Sequence, residues 1–128
     1  AAQADTDMTL SIDIPEAFPI LEADLCIILG NLLENAVEAC KRMESGQRAI
    51  RLKMSMPSSQ TMVIIIENSY EGKIRVSPDG NFLSSKTTGR RGIGISSVLN
   101  ITEKYNGIPR FEYRNNTFKV SLLLNASR

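Results

Sequence analysis

The sequence predicts an α+β fold, a two-layer α/β sandwich in which a mixed, largely antiparallel sheet is covered by helices on one face. Three observations lead there. One long amphipathic helix, Asp24 to Met43, sits between a first strand and a strand pair. Several short segments alternate apolar and polar residues at the period of a strand, and the last two meet across Asn115-Asn116, a two-residue hairpin signal. Helices are few: the order strand, helix, strand, strand, long basic loop, helix, strand, strand lacks the regular βαβ repeat of a doubly wound parallel sheet.

At 128 residues the chain is expected to form a single domain, 1–128, large enough to bury about two-thirds of its unfolded surface. A net charge of +1 gives no electrostatic reason to expect nucleic acid or an anionic membrane as partner. No apolar run approaches the ~18 residues of a membrane span, and no signal-peptide pattern opens the chain. The abrupt start, AAQADTD, reads as a cut linker. Cys26 and Cys40 fall on the same helix, roughly 21 Å apart at the helical rise, too far for a disulfide. They read as reduced core residues of a cytosolic protein. Histidine is absent, which excludes Ser-His-Asp or Cys-His catalysis, most zinc sites, and any phospho-accepting histidine within the chain.

In order, Asp7 to Pro15 sets Met8, Leu10, Ile12 and Ile14 against Asp7, Thr9, Ser11 and Asp13, the pattern of a half-buried strand. Residues 16 to 22 form a connector, with Glu22 and Asp24 near the positive end of the helix that follows. That helix gathers Leu25, Ile28, Leu29, Leu32, Leu33, Ala36, Val37, Cys40 and Met43 on one face, with Asp24, Asn31, Asn35, Glu38 and Arg42 on the complementary stripe. Its stop is expected at Ser45-Gly46. Arg48 to Met56 alternates again, Pro57 to Gln60 reads as a turn, and Thr61 to Asn68 holds an unbroken apolar run suited to a central strand covered on both faces. From Ser69 to Arg91 periodicity disappears. Lys73, Arg75, Lys86, Arg90 and Arg91 outnumber Glu71 and Asp79 there, which reads either as solvated loop charges or as a phosphate-covering lid. Gly92-Ile93-Gly94 opens a second helix with Ile95, Val98, Leu99 and Thr102 or Tyr105 at helical spacing; Asn106-Gly107 caps it and Pro109 prevents its resumption. Phe111 to Arg114 and Thr117 to Leu124 are the closing strands, with Phe118, Val120, Leu122 and Leu124 on one face. The open face of the sheet is where helices and lid are expected to enclose a ligand.

Asn31 and Asn35 are one turn apart on one side of the first helix. Asparagine is an indifferent helix former, and two at this spacing suit amide oxygens aimed at a cation and phosphates. Asn31-Leu-Leu-Glu-Asn35-Ala36 resembles the N box of the GHKL ATPases, whose fold is the Bergerat type. The form with asparagine at both ends is similar to that of sensor histidine kinases. The resemblance implies Asn31 and Asn35 as the catalytic pair, with Asn35 giving its carbonyl oxygen to a Mg²⁺ on the phosphates of ATP. A hard cation that takes one or two protein oxygens and the rest from phosphate and water suits that role.

The later boxes follow in the family's order. Asn68-Ser-Tyr-Glu-Gly72 resembles a degraded first glycine box, with Asn68 in place of the aspartate that holds adenine and Tyr70 in place of the first glycine. Asparagine can still accept from the adenine amine and donate to a ring nitrogen, without a carboxylate's charge assistance. Phe82, Lys86 and Gly92-Ile93-Gly94-Ile95 resemble the F box, lid lysine and second glycine box of histidine kinases, and Thr117-Phe118-x-Val120 resembles the last strand. By resemblance, Asn31, Asn35, Asn68, Gly72, Lys86, Arg91, Gly92 and Gly94 bind ATP, with Asn35 on the metal. The combination looks most like Agr- or VirS-type peptide-sensing kinases of quorum sensing.

The implied protein is the ATP-binding catalytic domain of a two-component sensor histidine kinase. It transfers the γ-phosphoryl group to a histidine on a separate dimerisation domain of the same receptor, with a response regulator downstream. The domain alone is expected to be monomeric and cytoplasmic, and the full-length, membrane-bound kinase a homodimer. Two alternatives stand beside this: an anti-sigma serine kinase, which typically has glutamate at the place of Asn31, and a non-catalytic nucleotide-sensing or interaction module.

Overall fold

A computed structural model describes residues 6–44, 46–71, 75–76, 82–83 and 93–126. Five strands form one sheet in the order β1-β2-β3-β7-β6: β1 (Thr6–Asp13), β2 (Arg48–Ser58), β3 (Thr61–Ser69), β6 (Ile108–Arg114) and β7 (Thr117–Asn125). Only the β1–β2 pair is parallel, because α1 (Glu22–Lys41) carries the chain back between them; the other pairs are antiparallel. Helix α1 packs over β2 and β3, and α2 (Ile93–Lys104) packs against α1, β6 and β7, so both helices cover one face. The predicted α+β sandwich is the observed one.

The core lies between these layers. Ile28, Leu32, Ala36 and Cys40 of α1 meet Ile50, Leu52 and Met54 of β2, Met62, Ile64 and Ile66 of β3, and Val120, Leu122 and Leu124 of β7, all buried. The alternation of β3 decides a point that its composition left wrong. Met62, Ile64, Ile66 and Asn68 are buried while Val63 and Ile65 are half-buried, so this central strand is covered on one face, not both. With helices on one side only, the β-branched run serves strand packing rather than double burial.

The half-buried reading of β1 also fails. Its register, Met8 to Ile50, Leu10 to Leu52 and Ile12 to Met54, turns the apolar row toward the helix side. Among the described residues no helix packs over this edge, however, and Met8, Leu10 and Ile12 remain more than half exposed. Cys26, expected in the core, is exposed on α1, while Cys40 is buried.

Turns follow their residues. Asn115 and Asn116 both have positive φ, 53° and 61°, the two-residue hairpin geometry that asparagine tolerates. After α2, Asn106 takes the left-handed position at φ 51°. Its N–H donates to the Glu103 carbonyl, and that of Gly107 to the Thr102 carbonyl, which satisfies the last helical acceptors. Gly107 is required by crowding: a Cβ there would lie 2.1 Å from the Leu123 carbonyl oxygen. At the β2–β3 connection the ladder shifts register between Ser55 and Ser58, where Pro57 cannot donate. Strand β2 therefore runs to Ser58, through part of the expected turn. Within the segment read as aperiodic, β4 (Arg75–Val76) and β5 (Phe82–Leu83) pair antiparallel, so it is not wholly irregular.

Candidate functional site

Helices α1 and α2 lie side by side and are held at two levels. At the first, the Asp24 carboxylate accepts from the Tyr105 hydroxyl at 2.6 Å and from the Lys104 ammonium at 2.7 Å. The Tyr105 oxygen in turn accepts the Leu21 N–H at 3.1 Å, one of the orphan donors at the start of α1. The hydrogen bonds from Lys104 and Tyr105 hold the Asp24 carboxyl below the ordinary carboxylate range against the opposing effect of burial, and burial together with Asp24 pushes the Tyr105 hydroxyl up. Sequence reading placed Asp24 on the stripe opposite the apolar face, near the positive end of the helix. It is buried, and its partner Tyr105 is 81 positions away, beyond the reach of any local pattern.

At the second level, about two turns farther along α1, Asn31 faces Gly94 at the start of α2. The Asn31 Nδ2 donates to the Ile27 carbonyl at 2.8 Å. A Cβ on Gly94 would lie 2.7 Å from Asn31 Oδ1, so only glycine lets the amino-terminal end of α2 come this close to the amide. Asn35, one turn on, is half-buried, and its side chain makes no hydrogen bond among the described residues. The seam thus brings Asn31 and Gly94 together, with Asn35 one turn farther along α1. The first N–H groups of a helix have no partner within it, and with the helix dipole they favour an anion there. The amide of Asn35 offers an oxygen of the kind a hard cation accepts. Among the described residues no cluster of three or more His, Cys, Asp and Glu could cage a metal, so a cation here would rest on few protein oxygens and on its anion.

Asn68 stands on a different element. It is buried near the end of β3, on the helix-covered face, with Nδ2 donating to the Ser69 carbonyl at 2.8 Å. The register sets it between Ile50 of β2 and Phe118 of β7, with Tyr113 of β6 beyond. Tyr70 continues the ladder by one step, its N–H donating to the Asn116 carbonyl at 2.9 Å. Glu71 Oε1 then accepts the Glu44 N–H at 2.8 Å, which ties the exit of β3 to the chain just past α1. Gly72, Lys86, Arg91 and Gly92 lie outside the described residues.

The open face of the sheet is not where these side chains point. It carries a groove of about 330 Å³ across β1, β2, β3 and β7, bordered by the Arg51–Glu67 ion pair at 3.7 Å. Among the described residues, Asn31 and Gly94 meet at the α1–α2 seam, and Asn68 is buried on β3.

A family model described as GHKL domain matches residues 21–125. The catalytic domain of the histidine kinase ThkA superposes with a TM-score of 0.70 at 17% identity, over 94% of this chain and 78% of that one. The mycobacterial sensor histidine kinase MprB is similar at 0.65 and 13% identity, over 94% and 83%. The Acinetobacter baumannii histidine kinase AdeS gives 0.65 and 14%, over 98% of this chain and 56% of that one. At these identities the likeness is one of fold. Among curated proteins none matches. No helix of the described residues is long and apolar enough to cross a membrane.

Proposed function

The chain belongs to the GHKL domain family, and on that premise we propose that it is the ATP-binding catalytic domain of a two-component sensor histidine kinase. The observation that carries this reading is the close approach of Asn31, one turn from Asn35, to Gly94 at the start of α2. Phosphoryl transfer asks a protein chiefly for positioning and charge neutralisation, and that seam supplies both kinds of group. The α2 N–H groups around Gly94, with Gly92, Lys86 and Arg91, hold phosphate oxygens. Asn35 gives an amide oxygen to Mg²⁺, which when bound neutralises the charge on the phosphates. Asn31, anchored to the Ile27 carbonyl, fixes the spacing between the two helices. Asn68 and Gly72 hold the adenine end.

The acceptor is a histidine on a separate dimerisation domain of the same receptor, since this chain contains none. A response regulator takes the phosphoryl group onward. The combination of Asn31-Leu-Leu-Glu-Asn35, Asn68 and Gly92-Ile93-Gly94-Ile95 favours a membrane-bound, peptide-sensing receptor of the Agr or VirS type, dimeric through its histidine domain.

The test is transfer in trans. Alone with labelled ATP, the domain forms no acid-labile phosphohistidine; mixed at high concentration with the histidine-bearing segment of its receptor, it labels that segment. Failure to label it, with ATP still bound, returns the domain to the non-catalytic alternative.

A further inference from the structure

Tyr70 stands where the family's first glycine box has glycine, and its surroundings give it a use. Residues 68 and 70 share a side of the extended chain, so the Tyr70 ring rises on the helix-covered face one step beyond Asn68. Across the ladder Asn68 pairs with Phe118, and Phe118 with Tyr113. The Tyr70 ring meets Tyr113 edge-on, centroids 5.6 Å apart at 79°, and lies tilted against Phe118 at 6.3 Å. Phe111 backs Phe118 in a stacked pair at 6.3 Å. Four rings, from β6, β7 and the residue just past β3, thus form one aromatic ledge beside a buried amide. Tyr70 is half-buried and Tyr113 is 39% exposed, so part of the ledge's ring surface reaches the molecular surface.

An amide that can both donate and accept reads the edge of a planar heterocycle. A ring surface next to it receives the heterocycle's face. We propose that Tyr70, supported by Phe118 and Tyr113, is the surface on which the purine ring stacks while Asn68 holds its edge. The inference rests on the ATP-binding reading and deepens it: stacking makes up for the missing carboxylate of the glycine box. The phosphates, held at the α1–α2 seam, do not depend on these rings.

The experiment compares ATP with inorganic tripolyphosphate, which carries the phosphates but no base. In calorimetry Tyr70→Ala weakens ATP binding about tenfold or more, as loss of a base–aromatic stack does, while tripolyphosphate affinity stays within twofold of the wild type. Tyr70→Phe keeps ATP affinity. Tyr113→Ala, at an exposed position, weakens ATP severalfold with tripolyphosphate unchanged. Because the chain has three tyrosines and no tryptophan, ATP quenches its tyrosine emission, and Tyr70→Phe removes most of that quenching. ATP affinity of Tyr70→Ala within twofold of the wild type overturns the stacking role alone. Equal loss of ATP and tripolyphosphate overturns its confinement to the base. A wild type that binds no ATP overturns the nucleotide reading itself.

Discussion

Asp24 shows how one side chain sets the spacing of two helices. Its carboxylate serves the Lys104 ammonium and the Tyr105 hydroxyl at once, and only 13% of its side chain is exposed. Because those bonds hold the folded carboxyl below its ordinary value, the stability they contribute is fully present above about pH 3.9, the unfolded value. It is lost as pH falls through the lower folded value. Asp24→Asn should therefore lower the melting temperature at neutral pH and flatten its decline on acidification; an unchanged acid limb would exclude the linkage. Tyr105→Phe strands the Leu21 N–H and one carboxylate lone pair, at a cost of about 1–3 kcal/mol by denaturant titration. Gly94→Ala acts differently. Its methyl meets the end of a movable side chain, Asn31 Oδ1, so the fold survives while the amide shifts. The expected result is weaker Mg²⁺·ATP binding with a denaturation midpoint close to the wild type.

At the scale of elements, two glycines separate crowding from habit. Gly107→Ala drives a methyl into the Leu123 backbone and should cost at least about 1–3 kcal/mol. Gly30, on the exposed side of α1 with nothing within 4 Å of its would-be Cβ, should gain roughly 0.5–1 kcal/mol on the same substitution. Similar values for the two variants would show that backbone contact does not govern Gly107. Strand β1 invites a parallel contrast: Leu10→Thr at its exposed edge should shift stability by less than about 0.5 kcal/mol, while Leu52→Ala, its buried neighbour in register, costs about 2–5 kcal/mol. Periodicity made both helices and strands β1, β2 and β7 legible, while β3 was read from its apolar run and β6 from the hairpin turn at Asn115-Asn116. Periodicity could not say how far the helix layer extends. Met8, Leu10 and Ile12 have the alternation of a half-buried strand and point to the correct side, but β1 lies past the edge of that layer. The run from Met62 to Ile66 misled for the complementary reason: apolar content alone does not report whether a second layer exists.

Across the whole molecule, the candidate site was legible where its chemistry is local and hidden where it is tertiary. Two asparagines one turn apart and a Gly-x-Gly before a helix are readable from spacing, and α1 and α2 bring Asn31 and Gly94 into contact. The Asp24–Tyr105 tie, which holds those helices in place, joins residues from opposite ends of the chain and leaves no local trace. The aromatic ledge beside Asn68 likewise depends on strand register, which places Tyr113 and Phe118 beside a residue that in sequence merely departs from a glycine box. The central claim is that the Asn31–Asn35 side of α1 and the start of α2 form one site for Mg²⁺ and phosphates. Calorimetry of a non-hydrolysable ATP analogue, with and without Mg²⁺, tests it most directly in the wild type and Asn35→Ala. The account predicts binding strengthened by Mg²⁺ in the wild type and indifferent to Mg²⁺ in the variant, with the fold intact by circular dichroism. An Asn35→Ala protein that keeps the full Mg²⁺ dependence would contradict it.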